Sequence, residues 1–194
     1  MGRRETKKAA DHARIMAAAR ELFGERDYDD VTTAELSRVS GVSTGTLFRH
    51  IGSKAEILIA VMNESLGEKT ETPRPATTPE LVVEAIIGNI LPFLNLAKAR
   101  PTNAVVYQRE VLYGTSNGQE VAIGWVQSLQ TQISEVMHEW LGDDVDPRFI
   151  HAIYSSIYMD FLQVTTGTTR MQDLEENMRK SVTYMVEGKA RELK

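Results

Sequence analysis

Cysteine is missing altogether from the 194 residues. That excludes disulfides, thiolate metal sites and thiol nucleophiles together. Histidine is scarce: His12, His50, His138 and His151 form no HxxxH or HxxE pair, so no metal centre is expected. Neither a Gly-rich phosphate loop, nor a nucleophile elbow, nor a paired-carboxylate motif is visible, so the chain is read as no enzyme and as needing no cofactor. No apolar run reads as long enough to span a bilayer, and MGRRETKK is not followed by the apolar stretch of a signal peptide. A cytoplasmic protein that stays off the membrane is the expectation. Strand alternation, internal repeats and low-complexity tracts are also lacking, which leaves helical periodicity as the pattern of the chain.

What is present begins with a 42% hydrophobic content, enough for a real core in one large domain or two small ones. The net charge of −5 is unevenly placed. Residues 1–66 hold ten Lys/Arg and ten Asp/Glu, while residues 67–194 hold twelve and seventeen. The first part is neutral, and there the local arrangement of charge, more than its sum, decides what is bound. Arg3, Arg4, Lys7 and Lys8 make a basic tail ahead of a first helix from about Lys8 to Arg26. Such a tail serves to lie along phosphates or to solubilise the end. Ile15, Ala19, Leu22 and Phe23 form the inward stripe of that helix.

Residues 32–54, TTAELSRVSGVSTGTLFRHIGSK, carry the most information. Thr32 reads as an N-cap with Glu35 completing a capping box, and Ala34, Leu36 and Val39 form the apolar side of a short helix. Gly41 suits a positive-φ turn, and Ser43 caps a second short helix running to about His50. Helices this short are marginal alone, so they must be docked on something. Crossed over a Gly-containing turn, they make a helix-turn-helix, whose second member can enter a major groove. Leu47, Ile51 and Val42 point inward, leaving Thr44, Gly45, Phe48 and Arg49 outward. An aromatic ring among small polar residues suits a surface that meets bases better than one that meets water.

From Arg14 to Met62 the chain reads RIMAAARELFGERDYDDVTTAELSRVSGVSTGTLFRHIGSKAEILIAVM, with ELF, ER-Y, TT, GVS-GTL and GSK elements in register. This segment closely resembles the N-terminal DNA-binding domain of the TetR family of transcriptional regulators. Three positions depart from the family pattern. Asp27 stands where Gly usually ends the first helix, Phe48 where Tyr is usual, and Ile51 where Phe is usual. Phe48 keeps a stacking surface but lacks a hydroxyl that often reaches DNA. The resemblance implies a DNA interface of Thr33, Thr44, Gly45, Thr46, Phe48, Arg49, His50 and Lys54, with Lys54 at a helix start holding a phosphate.

After Ser53, Ile57, Leu58, Val61 and Met62 make the stripe of a fourth helix, and GEKTETPRPATTPE then reads as a linker. The division expected is a DNA-binding domain over 1–66, a linker over 67–78 and a helical body over 79–194. The body's periodicity gives helices opening at Pro79, Pro101, Gln119, Asp146-Pro147 and about Thr169, for an all-α chain of about nine helices. The resemblance implies that this body binds a small-molecule effector and pairs two chains into a homodimer. Tyr107, Glu110, Tyr113, Trp125, Tyr154 and Tyr158 are candidate pocket residues, being polar aromatics or an acid on otherwise aliphatic helices. Met171, Leu174, Met178, Val182 and Met185 form an apolar stripe that the resemblance assigns to the dimer interface. The function expected is a repressor released from operator DNA by an apolar or amphiphilic effector. An activator of the same family, or an adaptor using the helix-turn-helix for protein contact, are the alternatives.

Overall fold

The computed structural model describes residues 2–66, 75–113 and 117–193, and among them are nine α-helices and no strand. The all-α expectation holds. α1 (Arg3–Glu25) starts well ahead of Lys8 because Gly2 caps it. The Gly2 carbonyl accepts from the N–H groups of Glu5 and Thr6 at 2.9 and 3.2 Å, and the Glu5 carboxylate accepts from the Gly2 N–H at 3.1 Å. These bonds satisfy donors that a helix start otherwise leaves open. Arg4, Lys7 and Lys8 are therefore exposed on helical turns and not strung along a free tail.

α2 (Thr33–Ser40), α3 (Thr44–Ile51) and α4 (Lys54–Leu66) follow, with a 3-10 turn, Tyr28–Asp30, between α1 and α2. α5 (Pro79–Ala99), α6 (Pro101–Tyr113), α7 (Asn117–Leu141), α8 (Pro147–Thr165) and α9 (Leu174–Glu192) complete the chain. Residues 67–74 of the expected linker lie outside the described residues. Two compact units emerge: Met1–Gly67 with Ala99–Trp125, and Glu68–Lys98 with Val126–Lys194. A linker at 67–78 does not lead one to expect α6 in the first unit. It belongs there because its buried Asn103 bonds the main chain at the end of α1 and in the turn that follows.

In the first unit Ile15, Ala19, Leu36, Leu47, Ile57 and Ile59 are completely buried. Ala34, expected on the apolar side of α2, is exposed instead, and Ile51 is only half-buried. In the second unit α5 contributes Val82, Ile86, Ile90, Phe93 and Leu94, with Phe93 edge-on to Phe161 of α8 at 5.0 Å. By length and composition α5 does meet the test for a membrane-crossing helix, at mean hydropathy 1.5, contrary to the expectation that no run would. Of that window 44% is buried, Phe93 against Phe161 of α8 among it, and the core helix of a folded unit passes the same test.

α8 begins at a cap that the Asp146-Pro147 pair announces. The Asp146 side chain accepts from the Arg148 N–H at 2.9 Å, and the Arg148 guanidinium grips the same carboxylate at 2.7–3.1 Å. Those bonds hold the Asp146 carboxyl down at about 2. A depressed carboxyl stabilises the fold while it is ionised, at pH above its ordinary value of about 4, and ceases to as pH falls toward about 2. Asp146→Ala is therefore expected to lower the urea midpoint at neutral pH, with the gap from wild type closing over that acid range. A gap that stays constant with pH would show that the charge is not what the cap contributes.

The C-terminal stripe needs the largest correction. Met171 sits in a 3-10 turn, Met171–Asp173, ahead of α9. Leu174, Met178 and Val182, read as dimer interface, are at most 1% exposed within one chain, as is Val186. They pack toward α8, whose Ile153, Ile157 and Phe161 are likewise buried. Met171 and Met185 alone of that stripe keep accessible surface. α9 is also tied to α5 by Lys98–Glu175 and Arg179–Glu84, both at 2.5 Å. Exposed apolar side chains on these helices are instead Met159 at 50% and Tyr184 at 76%.

Candidate nucleic-acid interface

The short helices are built by their caps and turn. Thr32 Oγ accepts from the Glu35 N–H at 3.1 Å, and Ser43 Oγ accepts from the Thr46 N–H at 3.2 Å. The reciprocal half of the expected capping box is replaced. The Glu35 carboxylate is gripped by the Arg26 guanidinium at 2.6 and 3.1 Å, which also reaches the Asp30 carbonyl. This fork pins the end of α1 to the start of α2, and it holds the Glu35 carboxyl below the usual carboxylate range. Gly41 ends α2 at φ 67° and ψ 24°, the left-handed position a side chain disfavours. Ser37 Oγ donates to the Val42 carbonyl at 2.5 Å, closing the turn from within.

α3 is then seated by Leu47, at 0% exposure, and by Val42 from the turn. Thr44, Gly45, Phe48 and Arg49 face outward as expected, with Phe48 at 40% exposure. Thr33 and Thr46 are half-buried at the edges of this surface, and Thr46 Oγ lies 2.9 Å from Ser43 Oγ. Two expected members turn away from it. The His50 side chain is only 9% exposed, with Nε2 3.9 Å from Asp11 Oδ2, and Asp11 is held in turn by Arg14 at 2.6 Å. His50 therefore lies on the seam between α3 and α1.

Lys54 is also engaged inward. Its ammonium donates to the carbonyls of Tyr28 and Val31 at 2.9 and 3.0 Å and lies 3.7 Å from the Tyr28 ring centroid. Burial pulls this amine below the ordinary lysine value, with Asp29 pulling the other way. The sequence suggested a free cation waiting for a phosphate, whereas the geometry makes Lys54 a brace for the turn between α1 and α2. Lys54→Ala is accordingly expected to lower the urea midpoint while leaving the salt dependence of DNA binding at its wild-type slope. A slope smaller by about one unit would restore the phosphate contact.

Nothing in the sequence points to Asn103, because a polar residue on an apolar helix advertises no partner 75 residues upstream. Asn103 is 4% exposed, its Oδ1 accepts from the Tyr28 N–H at 2.7 Å, and its Nδ2 donates to the Phe23 carbonyl at 3.2 Å.

The candidate effector residues are divided between the two units. Tyr107, 2% exposed, donates its hydroxyl to Asn63 Oδ1 on α4 at 2.7 Å, and burial pushes that hydroxyl well above its usual value. Glu110 pairs with Arg109 at 3.7 Å, and Tyr113 is 77% exposed. These three belong to the first unit, and Tyr154 and Tyr158, stacked at 6.3 Å, belong to the second. The Trp125 side chain lies outside the described residues. An open groove of about 200 Å³ in the second unit is lined by α5 and α9 residues, among them Glu80, Glu84, Arg179 and Glu187. None of the candidates lines it.

Residues 15–61 match the family model described as bacterial regulatory proteins, tetR family. Over 58 residues the chain is 33% identical to the HTH-type transcriptional repressor AcnR of Corynebacterium efficiens, which covers 30% of this chain and 31% of that protein. Over 67 residues it is 31% identical to the repressor of the same name from Corynebacterium jeikeium, covering 34% and 35%. The chain thus spans about a third of the length of the curated relatives it matches. A crystal structure of a TetR transcriptional regulator from Rhodococcus sp. RHA1 superposes with a TM-score of 0.57 over 92% of this chain and 97% of that one, at 19% identity. That likeness carries the fold alone. Over that N-terminal segment, residues 15–61, the chain is similar to the TetR family of bacterial regulatory proteins.

Proposed function

We propose that this chain is a cytoplasmic, homodimeric repressor that binds operator DNA through the outer face of α3 and is released by a small-molecule effector. The observation that carries the reading is that face itself. Thr44, Gly45, Phe48 and Arg49 are exposed side by side on the second helix of a helix-turn-helix, a helix seated from beneath by the buried Leu47. Gly45 lets the main chain approach closely, Arg49 supplies a cation, and Phe48 offers apolar surface that suits a thymine methyl. Arg4, Lys7 and Lys8, exposed along the start of α1, add cations for the phosphate backbone. Thr33 and Thr46 complete the rim, and His50 and Lys54 support it from beneath.

Dimerisation supplies the second reading head. Two-fold pairing places two copies of α3 one helical turn of DNA apart, about 34–36 Å. The accessible Met159 of α8 and Tyr184 of α9 support pairing through the outer faces of those helices as a four-helix bundle. An apolar-to-amphiphilic effector acting on residues 79–194 would then favour a dimer whose heads no longer match successive grooves. The reading involves no catalysis. Transcriptional activation by the same contacts differs only in where the operator lies.

The test is selection of duplexes about 30 base pairs long, roughly three helical turns, from a random pool on the wild-type protein. A palindromic consensus, bound with two chains per duplex, is the expected result. Failure to enrich any sequence would count against the whole reading.

A further inference from the structure

Resting on the regulator reading, we propose that Asn103 of α6 is a positioning residue for the DNA-reading helices, clamping the turn that joins α1 to α2. The Phe23 carbonyl is among the last four of α1, which a helix leaves without an internal donor. The Tyr28 N–H opens the 3-10 turn and is equally without a helical partner. One buried side chain satisfies both, at 3.2 and 2.7 Å. Arg100, one turn earlier, adds a bond from its guanidinium to the Gly24 carbonyl at 3.1 Å. Lys54 of α4 takes the Tyr28 carbonyl, and Phe23 stacks on the Tyr28 ring at 6.2 Å. The Tyr28 peptide is thus held by its N–H from α6 and by its carbonyl from α4.

The consequence for DNA reading follows from the shortness of α2 and α3. Eight residues apiece cannot hold their own geometry, so their direction is set by the connection from α1 and by packing. Asn103 lies outside the segment 15–61 that carries the family match, yet that segment's main chain depends on it. α6 starts at Pro101, just beyond the end of α5 at Ala99. A displacement of α6 must therefore drag the Phe23 carbonyl and the Tyr28 amide with it, or break two buried hydrogen bonds. This gives α6 a direct hold on the helix-turn-helix that does not pass through α4.

The experiment compares wild type, Asn103→Leu and Asn103→Asp by amide hydrogen exchange at Tyr28 and by affinity for the duplex that wild type selects. Asp keeps the acceptor for the Tyr28 N–H and loses the donor to Phe23, while Leu keeps only the bulk. Asn103→Leu is expected to retain helical circular dichroism, to lose protection at Tyr28 and to bind DNA about 5- to 150-fold more weakly, the range for unsatisfied buried groups. Asn103→Asp is expected to restore Tyr28 protection and an intermediate affinity, a rescue that a bulk packing role would not produce. Wild-type affinity in Asn103→Leu, or in Asn103→Asp should the leucine variant fail to fold, overturns the proposal. If wild type selects no duplex, the regulator reading fails and the proposal falls with it. Protected Tyr28 exchange in wild type then distinguishes that case from failure of the clamp.

Discussion

Leu47→Ala is expected to destabilise the N-terminal unit by about 2–5 kcal/mol, the range for deleting a buried leucine side chain without collapse of the cavity. Leu47 has no exposed surface, and it is the one residue of α3 that is fully buried. The other inward apolar residue of α3, Ile51, is only half-buried, so most of the loss falls on the seating of the outer face. Urea unfolding followed by circular dichroism should show the shift in midpoint, and DNA affinity should drop further than the folded fraction alone accounts for. A change below about 1 kcal/mol would mean that the pocket beneath α3 closes over the gap, and that α3 is held chiefly by its caps.

The second large effect separates the core of the C-terminal helices from their outside. Met178→Ala is expected to cost about 2–5 kcal/mol, because Met178 is 1% exposed between α9 and α8 of a single chain. Tyr184→Glu, at a position 76% exposed, should leave the protomer's stability within about 0.5 kcal/mol. Its effect belongs on assembly. Wild type should sediment at twice the 21.7 kDa chain mass at micromolar concentration, and Tyr184→Glu, together with Met159→Glu, should move that species toward the monomer. If Met178→Ala dissociates a dimer while leaving the chain fully stable, the stripe would belong to the interface after all.

These cases show what the sequence could and could not convey. The helix-turn-helix was legible because its determinants act within three residues: Thr32 and Ser43 on their N-caps, Gly41 on its own φ. The outward set of α3 followed from periodicity around Leu47. Direction failed where a side chain has two possible partners. Lys54 and His50 lie on the edge of the same surface, and the carbonyls of Tyr28 and Val31, or the carboxylate of Asp11, claim them first. Glu35 likewise leaves its capping box for Arg26. The apolar stripe of α9 was visible, but periodicity cannot say whether its partner is α8 of the same chain or a second copy. Asn103 and Tyr107 were hidden for the same reason: long-range bonds between buried polar groups leave no local pattern.

The central claim is that the outer face of α3 reads DNA sequence, and the most direct measurement is the affinity of Phe48→Ala and Arg49→Ala for the selected duplex and for a scrambled one. Removing a side chain that meets a base edge costs about 1–3 kcal/mol of discrimination. Each variant is therefore expected to bind the selected duplex about tenfold more weakly, with the scrambled duplex little changed for Phe48→Ala. Equal affinities of wild type and both variants for the selected duplex would contradict it, because the recognition surface would then lie elsewhere on the chain.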